Sequence, residues 1–185
     1  MQNTVKTAIS FSGKGLHSGK PATATVLPAA VNSGIWFKRM DVDLGDRMIP
    51  ARWDAVNRSP LCTKLENAAG LQISTVEHLM AALAGSGIDN ALVEIDGPEI
   101  PIMDGSAEPY VKLIESVGLK TLDAPKLFMR ITRPIEVRNG DAMVKLTPYN
   151  GFRASYTFVA DHPVYNRYPK RLDMVFSGDS YLKQV

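Results

Sequence analysis

Cysteine is almost absent from this chain of 185 residues, in which Cys62 is the only one. A single cysteine excludes an internal disulfide and a zinc site built from several thiolates. Histidine is also scarce, with three residues in the whole chain. The sequence contains no low-complexity tract and no convincing repeat. A reducing compartment is the default expectation for such a chain.

Strong charge and long apolar runs are missing as well. The formal net charge is +2, which is too weak to indicate a nucleic-acid partner but is compatible with a phosphate-bearing small molecule. No apolar run approaches the roughly 18 residues of a membrane span, and residues 1–6 lack the basic stretch and apolar core of a secretory signal. With 45% hydrophobic and 22% charged residues, we expect a globular cytoplasmic protein without a transmembrane segment.

Hydrophobic periodicity predicts both strands and helices. Alternation of apolar and polar residues indicates strands, and apolar residues every three or four positions indicate helices. The predicted strands are 4–11, 22–27, 35–39, 91–95 and 152–158, and the predicted helices are 75–84 and 106–117. Asn139-Gly140 predicts a hairpin within 135–146. This mixture favours an α+β fold of two-layer sheet-on-helix domains over a doubly wound parallel sheet.

The segment around Asp123-Ala124-Pro125 separates two parts of this pattern and is typical of a linker. We predict a first α+β domain over residues 1–122, a linker at 123–126 and a second α+β domain over 127–185. Both predicted helices fall in the first domain. A further helix starts at Asp179 and the chain ends within it, so we expect the second domain to be truncated.

The most informative motif is Ser74-Thr75-Val76-Glu77-His78, at the start of the predicted helix 75–84. It places a carboxylate next to an imidazole. A metal-assisted hydrolase needs such a pair, because one group holds the metal while its neighbour takes a proton from the attacking water. On a helical wheel, His78 and Ala82 lie on the side opposite the apolar stripe.

A structural interpretation fits the same motif. Ser74 and Glu77 have the spacing of a capping box, in which Glu77 only satisfies a backbone N–H and His78 is a surface residue. The spacing alone favours this interpretation. A zincin motif is excluded, since Ala82 stands where its second histidine would be.

The other two histidines lie in predicted loops. His17 sits within Gly15-Leu16-His17-Ser18-Gly19, which lacks the lysine-serine ending of a phosphate-binding loop but could line a polar ligand site. His162 also lies in a loop. Each alone is more typical of a structural histidine than of a ligand. Asp104 is more typical of a turn residue before a helix capped by Ser106.

Five motifs of this chain occur together in one known family. They are Gly15-Leu16-His17-Ser18-Gly19, Ser74-Thr75-Val76-Glu77-His78-Leu79, Ala82-Leu83-Ala84-Gly85, Gly87-Ile88-Asp89-Asn90 and Glu99-Ile100-Pro101-Ile102-Met103-Asp104-Gly105-Ser106-Ala107. In order and spacing they closely resemble the UDP-3-O-acyl-N-acetylglucosamine deacetylases. That family comprises the zinc enzymes of the first committed step of lipid A synthesis in Gram-negative bacteria. The resemblance spans the whole chain.

The resemblance implies a two-domain α+β protein with its site in the cleft between the domains and one zinc ion as cofactor. It implies that Glu77 is the general base and that His78 is the first zinc ligand. The implied substrate is a UDP-linked acylated aminosugar. The implied substrate-binding positions are Leu16 and His17 in the cleft, Leu61 and Cys62 at the acyl passage, and His162 near the nucleotide. Neither a nucleic-acid partner nor an oligomer is predicted.

Two departures from the family pattern limit this interpretation. The family chain continues well past Val185 and carries there the second zinc histidine, a zinc aspartate and further catalytic groups. Nothing in residues 1–185 replaces them, so we expect this chain alone to be inactive. Ala160 stands two positions before His162, where an aromatic residue is expected to stack on uracil.

Two other function classes remain open from the sequence. The chain could be a non-catalytic ligand-binding or structural fragment, which zinc content and a deacetylase assay would distinguish from the enzyme. A small-molecule kinase with a similar α+β layout predicts a glycine-rich nucleotide loop, and no loop of adequate form is present.

Overall fold

The computed structural model describes residues 1–43, 45–159, 161–168, 170–176 and 181. It divides into two compact units, Met1–Lys126 and Leu127–Gln184. Small mixed and antiparallel sheets accompany two α-helices in the described part of the chain. The α+β class expected from the sequence is therefore confirmed.

The described residues of the first unit form ten strands and two α-helices. In chain order they are β1 (Gln2–Val5), β2 (Ile9–Lys14), β3 (Pro21–Pro28), β4 (Ile35–Arg39), β5 (Met48–Pro50), β6 (Val56–Asn57), β7 (Lys64–Glu66), β8 (Gln72–Ser74), α1 (Glu77–Gly85), β9 (Ala91–Ile95), α2 (Glu108–Val117) and β10 (Leu119–Leu122). The central sheet has the order β2-β3-β9-β4-β5, with β4 parallel to β9 and the other pairs antiparallel. A three-stranded sheet, β6-β7-β8, and the pair β1-β10 complete the unit.

The core of the first unit lies between the sheets and the helices. Strand β9 buries every second residue, as alternation requires. Phe11 of β2 meets Tyr110 of α2 edge to face, with ring centroids 5.2 Å apart. Each fully buried large apolar side chain stabilises such a core by about 1.5–3 kcal/mol.

The predicted strand 4–11 is wrong as a single element. The structure breaks it into β1 and β2, which pair with different strands, β10 and β3. Lys6, at the break, donates its N–H to the carbonyl of Gly118 at 3.0 Å. The alternation of apolar residues continues through the break because both strands bury one face, so the sequence pattern could not show it.

The other predicted elements are found with small shifts. Strands 22–27, 35–39 and 91–95 are β3, β4 and β9. The second helix starts at Glu108 rather than 106, although the hydroxyl of Ser106 accepts the N–H of Glu108 at 3.2 Å.

The second unit contains two hairpins in its described residues. Strand β11 (Ile135–Asn139) pairs with β12 (Ala142–Leu146), and β13 (Phe152–Thr157) pairs with β14 (Arg171–Phe176). Gly140, with φ +59°, stands in the turn of the first hairpin, which confirms the predicted hairpin. The helix predicted from Asp179 lies outside the described residues.

Residues 123–126, the predicted linker, make several contacts with the rest of the first unit. Gln2 donates its backbone N–H to the carbonyl of Ala124 and its side-chain amide to the carbonyl of Pro125. The ammonium group of Lys126 lies 3.1 Å from the carboxylate of Asp89.

Within the described residues, neither α1 nor α2 combines the length and the apolar character that a bilayer-spanning helix requires.

Candidate active site

Helix α1 begins at Glu77, two residues after an unusual backbone turn. Ser74 is the last residue of β8, donating its N–H to the carbonyl of Pro98 at 2.9 Å and accepting the N–H of Ile100 at 3.1 Å. Thr75 then adopts φ +58°, a left-handed conformation that is rare for a β-branched residue. The prediction of Ser74 as the helix N-cap is wrong, because strand-like pairing with residues 98–100 already engages its backbone.

The carboxylate of Glu77 does not form the capping box that its spacing suggested. Its Oε2 atom accepts the N–H of Thr63 at 3.0 Å, and no side chain caps the helix. The other carboxylate oxygen, Oε1, has no hydrogen-bond partner among the described residues. Glu77 is half-buried, with one carboxylate oxygen anchored and the other without a described partner.

His78 follows on the same helix and is half-buried. The buried side of α1 consists of Leu79, Ala82 and Leu83. The placement of Ala82 on the side away from the core is therefore wrong. Ala82 lies three positions after Leu79, about 60° from it around the helix, and so falls within the packed side.

A buried carboxylate, Glu99, connects the start of α1 to the loop that follows β2. Its side chain is 3% exposed. Oε1 accepts the N–H of His17 at 2.9 Å and the hydroxyl of Thr75 at 2.9 Å, while Oε2 accepts the N–H of Ser18 at 2.8 Å. These bonds place the backbone of His17 and the hydroxyl of Thr75 on one carboxylate.

Burial acts to raise the pKa of Glu99, but its hydrogen-bond donors outweigh that effect. The N–H of His17, the hydroxyl and N–H of Ser18, and the hydroxyl of Thr75 lower the pKa of this carboxyl from 4.5 to about 2. Each of these donors favours the charged form. Glu99 is therefore ionised at neutral pH although it is buried.

The carboxylate approaches the loop closely because residue 15 is a glycine. A Cβ added at Gly15 would lie 2.3 Å from Oε2 of Glu99 and 2.4 Å from the hydroxyl oxygen of Ser18. Both distances are far below any real Cβ contact. The segment that carries Glu99 is also held from the helix side, since the hydroxyl of Tyr110 donates to the carbonyl of Pro101.

Other sequence-predicted residues lie in the loops next to this arrangement. Leu16 is 59% exposed in the His17 loop, and Leu61 is 90% exposed with φ +66°. Cys62 is half-buried, with its sulfur 3.3 Å from the hydroxyl oxygen of Ser59. Leu61 and Cys62 directly precede Thr63, the residue that bonds Glu77.

His162 belongs to the second unit. Its Nδ1 atom accepts the N–H of Val164 at 3.2 Å, and its ring meets that of Tyr165 with centroids 5.6 Å apart. Ala160, the predicted departure from the family, lies outside the described residues. Asp104 has the turn role predicted for it, since it accepts both the N–H and the hydroxyl of Ser106, which lower the pKa of its carboxyl.

Sequence reasoning missed Glu99 and Thr75. The available signal was a glutamate between two prolines in an apolar stretch, Pro98-Glu99-Ile100-Pro101. A charged residue in such a setting is rarely buried unless it is paired or well hydrogen-bonded. Its donors are mostly backbone N–H groups about eighty positions away, which no sequence pattern displays.

The residues present fit a zinc site only in part. The imidazole of His78 is a suitable ligand, and a catalytic zinc usually takes three protein ligands. The described residues contain no group of three or more His, Cys, Asp or Glu side chains that could hold a metal ion. One imidazole and an adjacent carboxylate are what the described residues offer at this position.

Comparison with known proteins gives one consistent result. The chain is 46% identical over 184 residues to a UDP-3-O-acyl-N-acetylglucosamine deacetylase of Photobacterium profundum, 47% over 185 residues to that of Colwellia psychrerythraea and 46% over 184 residues to that of Vibrio cholerae. Each match covers 100% of this chain, and the chain spans 60% of the length of these curated relatives. The family model LpxC, described as UDP-3-O-acyl N-acetylglycosamine deacetylase, matches residues 2–185. The chain therefore belongs to the UDP-3-O-acyl N-acetylglycosamine deacetylase family.

Proposed function

We propose that residues 1–185 supply the general base and one zinc ligand of an enzyme that hydrolyses the acetamide of a UDP-3-O-acyl-N-acetylglucosamine. The observation that carries this proposal is the half-buried carboxylate of Glu77, anchored through one oxygen beside His78. The names of the relatives support the reaction. Since those relatives are longer than this chain, the further zinc ligands are proposed to come from the part of the protein that the relatives have in addition.

Glu77 is proposed to accept the proton of the attacking water. A general base needs a fixed position and an oxygen able to take a proton. The N–H of Thr63 fixes Oε2 of Glu77 at 3.0 Å, and Oε1 is the oxygen proposed to meet the water.

His78 is proposed to hold the zinc ion through its imidazole. The ring lies in the first turn of α1, and an imidazole nitrogen is a common zinc ligand. When bound, the ion would polarise the water and the acetamide carbonyl.

The loops beside the site are proposed to contact the substrate. Leu16 and Leu61 are exposed apolar side chains, and each lies in a loop bonded to the site, through Glu99 and Glu77 respectively. Contact with an acyl chain would cover this apolar surface, which is favourable in water. Cys62, His17 and His162 are the other proposed substrate-binding positions.

The test uses a completed protein, defined here as residues 1–185 followed by the remaining C-terminal part of the Photobacterium profundum relative. Glu77→Gln keeps the size of the side chain and its acceptor for Thr63. We expect zinc content and stability to change little while the deacetylation rate falls by roughly 10²-fold or more, the usual scale of general base catalysis. Zinc is measured by elemental analysis and the rate by acetate release.

The matched control is Glu94→Gln, the same change at a carboxylate that pairs with Lys38 on the central sheet. It should leave the rate unchanged. A Glu77→Gln protein with zinc and nearly full activity would show that Glu77 is structural. A folded but inactive completed protein would favour the alternative, a non-catalytic ligand-binding or structural role.

A further inference from the structure

One buried charged group of the first unit has no part in the steps proposed above. Glu99 is 3% exposed and forms no ion pair with any described residue. A buried carboxylate without a counter-ion is unfavourable unless hydrogen bonds satisfy it. Here the donors come from two separate segments, His17 and Ser18 on one side and Thr75 on the other.

We propose that Glu99 is a positioning residue, whose carboxylate fixes the loop carrying His17 against the segment that leads into Glu77 and His78. This inference rests on the proposed function and adds to it a group that does not itself touch the substrate. It predicts that the loop and the start of α1 keep one relative position only while the carboxylate is present.

The Thr75 side of this connection is held in a conformation that needs support. Thr75 is buried and has φ +58°. A β-branched residue adopts such a backbone only when its surroundings enforce it, and such residues cluster at functional sites. Its hydroxyl bonds Glu99, and its backbone is two residues from Glu77, so a change at Glu99 reaches the general base through a short rigid path.

The loop side is fitted to the same carboxylate. Gly15 has no side chain at the point where Oε2 of Glu99 passes, and both carboxylate oxygens receive consecutive N–H groups, those of His17 and Ser18. Consecutive N–H groups on a fixed anion define the loop backbone more tightly than a single bond would.

The first measurement is amide hydrogen exchange in the 185-residue chain. Glu99→Gln keeps the size of the side chain but replaces one acceptor oxygen by an N–H₂ group, so at least one loop N–H loses its partner. We expect the amides of His17 and Ser18 to exchange about tenfold faster or more, while the amides of β9 are unchanged. Glu94→Gln is the matched control and should alter neither set.

The second measurement is steady-state kinetics of the completed protein, with variants on each side of the carboxylate. Ser18→Ala removes a donor on the loop side and should mainly raise KM. Thr75→Val removes the hydroxyl at nearly constant shape and should mainly lower kcat. Thr75→Ser retains the hydroxyl and should therefore keep kcat near its native value. Glu99→Gln should change both, lowering kcat/KM on the order of tenfold with zinc retained.

Each outcome decides the proposal. Unchanged exchange at His17 and Ser18 in Glu99→Gln would overturn it even if the completed protein is active. Faster exchange with kcat and KM both unchanged would show that Glu99 only stabilises the fold, and would overturn it as well. If Glu99→Gln does not fold, the proposal is tested by the predicted rise in KM for Ser18→Ala and the predicted fall in kcat for Thr75→Val. Unchanged kinetics in both variants would then overturn it. An inactive completed protein with all native residues would instead overturn the proposed function, whatever the exchange result.

Discussion

The two units of this chain use polar groups in opposite ways. In the first unit, buried side chains connect residues far apart in sequence, as Glu99 does with His17 and as Asn90 does with Gln2. In the described part of the second unit, no residue is buried and the ion pairs are exposed, as between Arg171 and Asp173. Exposed ion pairs contribute little to stability because water and salt screen them.

The difference shows where this chain has a rigid frame. A two-stranded hairpin is at best marginally stable by itself, whereas a buried core with satisfied polar groups favours one arrangement. The candidate site residues of the first unit belong to the rigid part, and His162 belongs to the other. The following predictions test this contrast, from the largest expected effect to the smallest.

Hydrogen exchange over the whole chain should separate the two units most strongly. We propose that the first unit folds independently, since its sheets, its helices and the polar contacts that join them all lie within residues 1–126. Amides of 75–117 should be protected by roughly 100-fold or more above those of the paired strands in 127–176, because the latter open without disturbing a core. Better protection of the second unit would contradict both statements.

Removing one phenyl ring from each unit sharpens the contrast. Phe37 of β4 is wholly buried, while Phe152 of β13 is 62% exposed and contacts the ring of Phe176 with centroids 4.7 Å apart. Phe37→Ala should lower the free energy of unfolding by about 3–5 kcal/mol. Phe152→Ala should lower the free energy of unfolding by only about 1 kcal/mol, which is the typical contribution of one aromatic pair.

The measurement is urea denaturation of both variants under the same conditions. Equal losses of stability would mean that the second unit has a core comparable to that of the first.

Acid should weaken the first unit through Glu99. Its pKa is lowered from 4.5 to about 2 in the folded protein. The contribution of the ionised carboxylate to the free energy of unfolding is therefore complete above pH 4.5 and is lost as the pH falls towards 2. At about 1.4 kcal/mol per pKa unit, the contribution is on the order of 3 kcal/mol. Stability of Glu99→Gln should therefore depend less on pH over this range than that of the native chain.

Asp173 provides the control for the acid experiment. The side chains of Arg171 and Ser155 lower the pKa of its carboxyl, but the group lies on the surface of the second unit. Asp173→Asn should leave the pH dependence of the first unit as it was, as followed by the thermal midpoint between pH 2 and 5. An identical pH dependence in native and Glu99→Gln proteins would show that folding does not lower the pKa of Glu99.

How far the sequence could predict this structure depended on the range of the interactions involved. Strands β3, β4 and β9 were predictable because alternation is a local property. The start of α1 was not, since pairing of Ser74 with residues 98–100 overrides its local preference for capping a helix. The five motifs indicated Glu77 and His78 through resemblance, whereas the spacing alone favoured a structural role.

The close approach of Gly15 to Glu99 has a consequence for how the sequence can vary. A methyl group on residue 15 and the glutamate carboxylate compete for the same space, so either position limits what the other tolerates. Shortening residue 99 by one methylene, as in Glu99→Asp, would vacate room at residue 15 but withdraw the oxygens from Ser18 and Thr75. Substitutions at these sites are therefore epistatic, and a variant that is harmful alone can become acceptable only in combination with a second one far away in the chain.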